Sequence, residues 1–254
     1  MAADAALDLV TSLIEKARRA GADAAECVLV DSTSLSLGYR LGNLERLERS
    51  ESGDVGLRVF VGKRQALISS SDRSDSALDS LVERAVAMAR TVPEDPYAGL
   101  ADPSQLARDL PELDVCDPEE PPTATFIDMV RRAEDSARAV DGVTNSEGAD
   151  ASWGKSHVAF AASNGFAHSH WMSNSSLSVS VLAGGGEQGM ERDYDYTSAV
   201  YLSDLRSPED VGHGAGRRTV ARLGARKVKT CRVPVVLNPR VARGLLGHLT
   251  GAIN

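Results

Sequence analysis

Between Ser173 and Leu182 the chain alternates polar and apolar side chains, so that Leu177, Val179 and Val181 fall on one side of an extended strand and serines on the other. Such a strand buries one face and leaves the other to water, which predicts an antiparallel sheet covered on one side only. Strand-like runs at 143–149, 155–162, 166–182 and 192–201 supply its neighbours. Asn164-Gly165 lies between two of them and predicts a type I′ hairpin, whose positive φ values these residues tolerate. A helix over 124–140 precedes this sheet, with Phe126, Ile127, Val130, Ala133 and Ala137 as its buried stripe and Gly142 as its stop. Another follows it, from the cap at Ser207-Pro-Glu-Asp210 to about residue 223.

The N-terminal part has a similar make-up. Residues 5–20 form an amphipathic helix through Leu9, Leu13, Ile14 and Ala17, ended by Gly21. Strand character follows at 26–30, 34–41, 44–50, 55–61 and 65–70, with a tight turn at Gly62-Lys63, and helical spacing returns over 75–88. Between residues 92 and 122 seven prolines and many acids leave little to bury, which predicts a linker laid over the surface. The expected organisation is therefore an N-terminal α+β domain (1–92), a Pro-rich linker (93–122), a middle α+β domain (123–230) and the start of a further domain (231–254). The fold class is α+β, two units with mainly antiparallel sheets and flanking helices.

The last segment reads as a strand, 233–237, leading into a helix. Asn238 is a suitable N-cap and Pro239 fits the first helical position. Val241, Leu245, Leu246, Leu249 and Ile253 then recur at helical spacing with no stop signal, so a longer protein with a C-terminal domain missing here is expected.

Charge and cysteine content narrow the function classes. The chain has 254 residues and a net charge of −8, yet ten basic residues between Arg206 and Arg243 face only Glu209 and Asp210. No aromatic interleaving or nucleic-acid motif accompanies them, and cations near a helix end complement its dipole, so no nucleic-acid partner is expected. No apolar run reaches the ~20 residues of a membrane span. Asp4 and Asp8 stand where a signal peptide would be basic. Cys27, Cys116 and Cys231 are odd in number and unpaired in spacing, which predicts reduced thiols and a cytoplasmic location.

Few residues carry a chemical signature. His168 and His170 share one strand face at a spacing that metal ligands use, although neighbouring Trp171 and serines equally describe a solvated or partner-facing strand. Gly184-Gly-Gly-Glu-Gln-Gly189 lacks the lysine and hydroxyl of a phosphate-binding loop and reads as a hairpin loop. Asp193-Tyr-Asp-Tyr196 puts two carboxylates on one face and two phenols on the other, more often a packed and an exposed face than an acid/base pair. No Ser/His/Asp set can be assembled, and no catalytic or cofactor-binding residue is assigned.

Several segments carry a family resemblance. The run from Arg226 through Cys231-Arg-Val-Pro-Val-Val-Leu-Asn-Pro239 to Leu245-Leu-Gly-His-Leu-Thr-Gly-Ala252, together with Glu51-Ser-Gly-Asp-Val-Gly-Leu-Arg-Val-Phe-Val-Gly62, Ile68-Ser-Ser-Ser-Asp72 and Ser163-Asn-Gly165, resembles the TldD/PmbA proteins. These are known as metallopeptidases and, historically, as modulators of DNA gyrase. In the TldD branch a Leu-Leu pair is followed by His-Glu-x-x-x-His, which binds zinc and supplies a general base. Here Gly247, His248 and Ala252 occupy those positions, so the resemblance is to the PmbA/TldE branch that lacks the zinc motif. It implies a subunit that holds no cofactor itself, pairs with a zinc-bearing TldD-like subunit or with its own copy, and helps degrade unfolded peptides. Alternatives are an independent metal-dependent hydrolase using His168 and His170, or a non-catalytic regulatory or binding module. The substrate and the choice between hetero- and homodimer are not legible.

Overall fold

The computed structural model describes residues 3–186 and 189–253 and divides into two compact units, 1–223 and 224–254. In the first, helix α1 (Ala3–Arg19) leads into strands β1 (Ala24–Arg40), β2 (Asn43–Val61) and β3 (Arg64–Ser70) and helix α2 (Asp75–Ala89). After the Pro-rich segment come α3 (Thr123–Arg138), β4 (Val143–Ala162), β5 (Ala167–Gly184), β6 (Met190–Ala199) and α4 (Pro208–Val220). This is an α+β fold in which every paired strand is antiparallel.

All six strands form one sheet, ordered β3-β2-β1-β4-β5-β6. The segments expected as 1–92 and 123–230 are joined through it, because β1 pairs with β4 from Glu26↔Ala162 to Tyr39↔Ala149. The strands are also longer than the sequence reading. Runs separated by Asp31-Ser-Thr33 or Asp150-Ala-Ser152 are single strands, since polar residues continue a ladder as well as apolar ones once neighbours pair on both sides. The expected alternation in β5 holds, with Leu177, Val179 and Val181 buried. On the opposite face hydroxyls link the strands, as in Ser32 with Ser156 at 2.7 Å and Ser152 with Ser176 at 2.8 Å.

One face of the sheet carries two cores. Ala25, Cys27 and Leu29 of β1, with Ala159 and Ala161 of β4, pack under α1 and α2. Leu35 and Leu37 of β1, with Ala149, Ala151 and Trp153 of β4 and the β5 stripe, pack under α3 and α4. All the β1 members have odd numbers, so both cores lie on the same face, one beyond the other along the strands. Burial pushes the Cys27 thiol up to about 12, which makes it an inert core residue.

Three local expectations differ. The β4–β5 hairpin forms at Asn164-Gly165, but only Gly165 has positive φ. Gly165 N donates to Ala162 O and Ala162 N to Phe166 O, which is a three-residue loop rather than a type I′ turn. The Pro-rich segment is anchored: Ser173 N donates to Val115 O (3.0 Å), Asp117 N to Ser173 Oγ (2.7 Å) and Lys155 Nζ to Pro118 O (2.8 Å), so 114–120 straps the sheet. In the second unit residues 233–237 are not a strand, since no other strand in that unit pairs with them. Helix α5 (Pro239–Ala252) does form, with Asn238 Oδ1 accepting from Arg240 N (3.0 Å). Of the 184–189 loop, Glu187 and Gln188 lie outside the described residues.

Helices α3 and α4 cross with their backbones close together. A Cβ on Gly212 would collide with the carbonyl oxygen of Ala133, and one on Gly216 would stand 2.8 Å from that of Ala137. Gly212→Ala is therefore expected to destabilise the fold by about 1–3 kcal/mol through overpacking, read as a lower urea midpoint with unchanged slope.

Candidate functional site: a polar belt between two cores

Between the two apolar cores the covered face of the sheet is polar. Strand registers place Gly53, Asp31, His157 and Trp171 in one row across β2, β1, β4 and β5, and Glu51, Thr33, Lys155 and Ser173 in the next. The strap at 114–120 borders this belt, and the cleft it helps to form, about 500 Å³, is lined among others by Asp31, Thr33, Glu51, Pro118, Trp153 and Lys155.

Its charges are arranged in pairs. Asp31 meets Arg73 at 2.5 Å, with both side chains largely covered. Only a glycine at 53 permits this, because a Cβ there would collide with the Arg73 guanidinium and lie 2.7 Å from Asp31 Oδ1. Arg49 bonds to Glu51 and to Glu120 of the strap, the latter at 3.2 Å. Lys155 holds Pro118 O and sits 5.4 Å from the Trp171 ring centre, a cation–π distance. His157 is 1% exposed, stacks on Trp171 at 4.6 Å between centroids, and has no hydrogen-bond partner on either ring nitrogen. Burial lowers its pKa from the ordinary value, and the nearby Asp31 charge only partly opposes that.

With an ammonium, carboxylates and two indoles around one cleft, the belt is equipped to hold a polar chain by both charge signs and by ring faces. The acids are committed to arginines, so the chemistry is that of binding. Asp31, His157 and Lys155 were not singled out in the sequence. Their signal was a polar pair at alternate positions inside each of two otherwise apolar strand faces, Asp31 and Thr33 in β1, Lys155 and His157 in β4.

The residues that the sequence did single out lie elsewhere. His168 and His170 stack at 5.8 Å on the opposite face of β5, where they pair across to Phe160 and Val158. Among the described residues no group of three or more His, Cys, Asp or Glu is placed to hold a metal ion. Asp195 is buried against α4, where Arg206 (2.9 Å) and Arg218 (2.6 Å) pair with it. Burial opposes its ionisation, but hydrogen bonds from those arginines and from Tyr196 N outweigh it and hold the carboxyl below its usual range. Arg222 reaches Glu191 (3.2 Å) and Asp193 (3.6 Å), so part of the basic run pins α4 to β6. Tyr194 and Tyr196 stack on the other face at 6.2 Å. Gly247, His248 and Ala252 lie on α5, which has no buried residue. Among the described residues no helix is long and apolar enough to cross a membrane.

Comparison with known proteins follows the same halves. Residues 25–89 match the family model described as PmbA/TldA metallopeptidase domain 1, and residues 116–223 match the PmbA/TldA metallopeptidase central domain. The chain is 39% identical over 233 residues to "Metalloprotease PmbA" of Escherichia coli O157:H7, covering 91% of this chain and 51% of that protein. It is 33% identical over 246 residues to a "Metalloprotease PmbA homolog" of Haemophilus influenzae, covering 96% and 54%. The chain thus spans about half the length of the curated relatives it matches. Among solved structures, a proposed modulator of DNA gyrase from Bacteroides thetaiotaomicron superposes with a TM-score of 0.83 at 24% identity, over 90% of this chain and 52% of that one. TldE from Thermococcus kodakarensis gives 0.70 at 15% identity, over 83% and 47%. At these identities the structural matches establish the fold.

The buried imidazole has a pH signature. Its folded pKa lies below the ordinary value of 6.5, so the unfolded chain takes up the proton first as pH falls. Its contribution is intact above that value and is lost below it. His157→Phe, which keeps a ring against Trp171, should flatten the fall in urea midpoint between about pH 7.5 and 5.5 relative to the parent protein.

Proposed function

Because this chain belongs to the PmbA/TldD metallopeptidase family, we propose that it is the PmbA/TldE-type subunit that carries no zinc, acting in a heterodimer whose TldD-like partner supplies the metal and the cleavage of unfolded peptides. The observation that carries the reading is the composition of α5. In the register of the catalytic branch its ligand positions hold Gly247 and Ala252, which have no donor atom, and His248 stands in place of the glutamate. These residues do not fit a zinc ion, so no catalytic step is derived through one. What this chain contributes is holding. An extended peptide presents backbone groups and mixed charges, and a cleft bearing Lys155, Glu51 and Trp171 matches those features without demanding one sequence. Three cysteines, all free, accord with a reducing cytoplasm.

Apolar burial and sheet contacts would drive the association with the partner. Assembly by apolar burial survives moderate salt that screens surface charge.

Two measurements test this. Elemental analysis of the purified protein should find no stoichiometric zinc; about one tightly held zinc per chain, lost on replacing His168 and His170, would favour the independent hydrolase instead. Co-expression with a TldD-like subunit should give a complex by size exclusion and peptidase activity that neither chain shows alone. Separate elution at micromolar concentration, with the TldD-like chain equally active by itself, would refute the partnership.

A further inference from the structure

The segment that straps the sheet crosses the belt as an extended peptide would. From Glu112 to Glu120 it carries five acids and no base, and residues 111–122 form neither helix nor strand. Its attachments step across the sheet strand by strand. Ser173 of β5 donates its N–H to Val115 O and accepts from Asp117 N at Oγ, Lys155 of β4 donates to Pro118 O, and Arg49 of β2 pairs with Glu120. β5 and β2 stand three strand spacings apart, about 14 Å. Four residues from Asp117 to Glu120 reach about 13 Å when extended and about 6 Å as a helix, so only an extended chain makes these contacts together.

The groups under the strap favour acid. Arg73 is matched by Asp31 and Arg49 by Glu51, whereas Lys155 has no carboxylate within ion-pair distance among the described residues. Without Glu120, the cations Arg49, Arg73 and Lys155 would outnumber the acids Asp31 and Glu51. Trp153 lines the cleft at 2% exposure, and its indole nitrogen has no acceptor. An ammonium and an indole N–H are both donors, so what the cleft lacks is a carboxylate or carbonyl oxygen.

The strap's own hold is polar and local. No residue from 111 to 120 is buried, and the Arg49–Glu120 pair lies nearly half in solvent. Further bonds, from Tyr201 OH to Asp114 (2.5 Å) and from Leu202 N to Asp117 (3.2 Å), use residues that do not line the cleft.

We propose that this strap is an internal occupant of the cleft, and that the peptides the cleft takes are extended and acidic and displace the strap from Lys155 and Arg49. The inference rests on the reading of that cleft as the site that holds peptide.

Both tryptophans of the chain, Trp153 and Trp171, line the cleft, so intrinsic fluorescence reports its occupancy. Titration with a synthetic peptide of residues 111–122 carrying Cys116→Ser should give a saturable change that weakens with added salt. The same peptide with its acids replaced by amides or by lysines should bind at least about tenfold more weakly. Tyr201→Phe with Asp117→Ala loosens the strap and leaves Lys155 and Arg49 in place, so it should tighten the acidic peptide by about tenfold as a larger fraction of molecules opens. Tyr201→Phe alone removes one hydroxyl and should give a smaller gain in the same direction, whereas a purely structural strap gives none. In the loosened background Lys155→Gln should weaken binding by about tenfold. No gain on loosening the strap, or no loss with Lys155→Gln, would overturn the proposal. Equal binding of all three peptides would overturn it too, and would leave the cleft a peptide site without a choice of charge. Binding of none of them, to the parent or the loosened chain, would remove the peptide-holding role as well.

Discussion

The β1–β4 ladder is the interaction on which the first unit depends. It runs from Glu26↔Ala162 to Tyr39↔Ala149 and is the seam between the N-terminal and middle parts of the chain. Without it each half would be a three-stranded sheet with a helix pair and an exposed edge. With it, strands of up to 20 residues, about 65 Å long, present one continuous face. A helix of about 17 residues is only about 25 Å long, so one pair of helices cannot cover that length. Two pairs do, and the polar belt occupies the interval between them.

That arithmetic explains why the fold was partly legible in the sequence. Helix positions followed from the 3.6-residue stripes at Leu9-Leu13-Ala17 and Phe126-Val130-Ala137, each set by contact with its own core. Strand lengths did not follow, because the polar residues of the belt interrupt the hydrophobic pattern where pairing continues. Asp31 and Thr33 look like the end of one strand and the start of another, and only their pairing with His157 and Lys155 reveals that they are mid-strand. The same interruption hid the candidate site, since its members come from β1, β2, β4 and β5 and share no sequence window. The anchorage of the strap was illegible for a related reason: its low apolar content predicts a linker laid over the surface, and its hold on the sheet comes from Val115 O, Asp117 and Pro118 O, which hydropathy does not register.

Charge in this chain is mostly structural where it is buried and available where it is exposed. Asp195 is nearly covered and takes two arginines, so two of the basic residues around α4 neutralise one carboxylate. Removing either arginine would leave part of a buried charge uncompensated. Arg46 and Arg49, by contrast, remain about half in solvent, where an ion pair contributes at most about 1 kcal/mol and is readily shared with a new partner.

The belt itself has a cost that the cores do not. Asp31, Glu51 and Lys155 each have a partner, but His157 keeps two ring nitrogens buried and unbonded, and leaving such groups unsatisfied costs about 1–3 kcal/mol. Stacking on Trp171 offsets part of this, through a contact of the kind worth about 0.5–1.5 kcal/mol. A phenylalanine would make the same stack without stranding polar atoms. Stability alone therefore does not select histidine at this position, and the residue belongs with the cleft beside it: both of its ring nitrogens keep hydrogen-bonding capacity to spend, and it shares its row with the Asp31 carboxylate and the Trp171 ring that line that cleft.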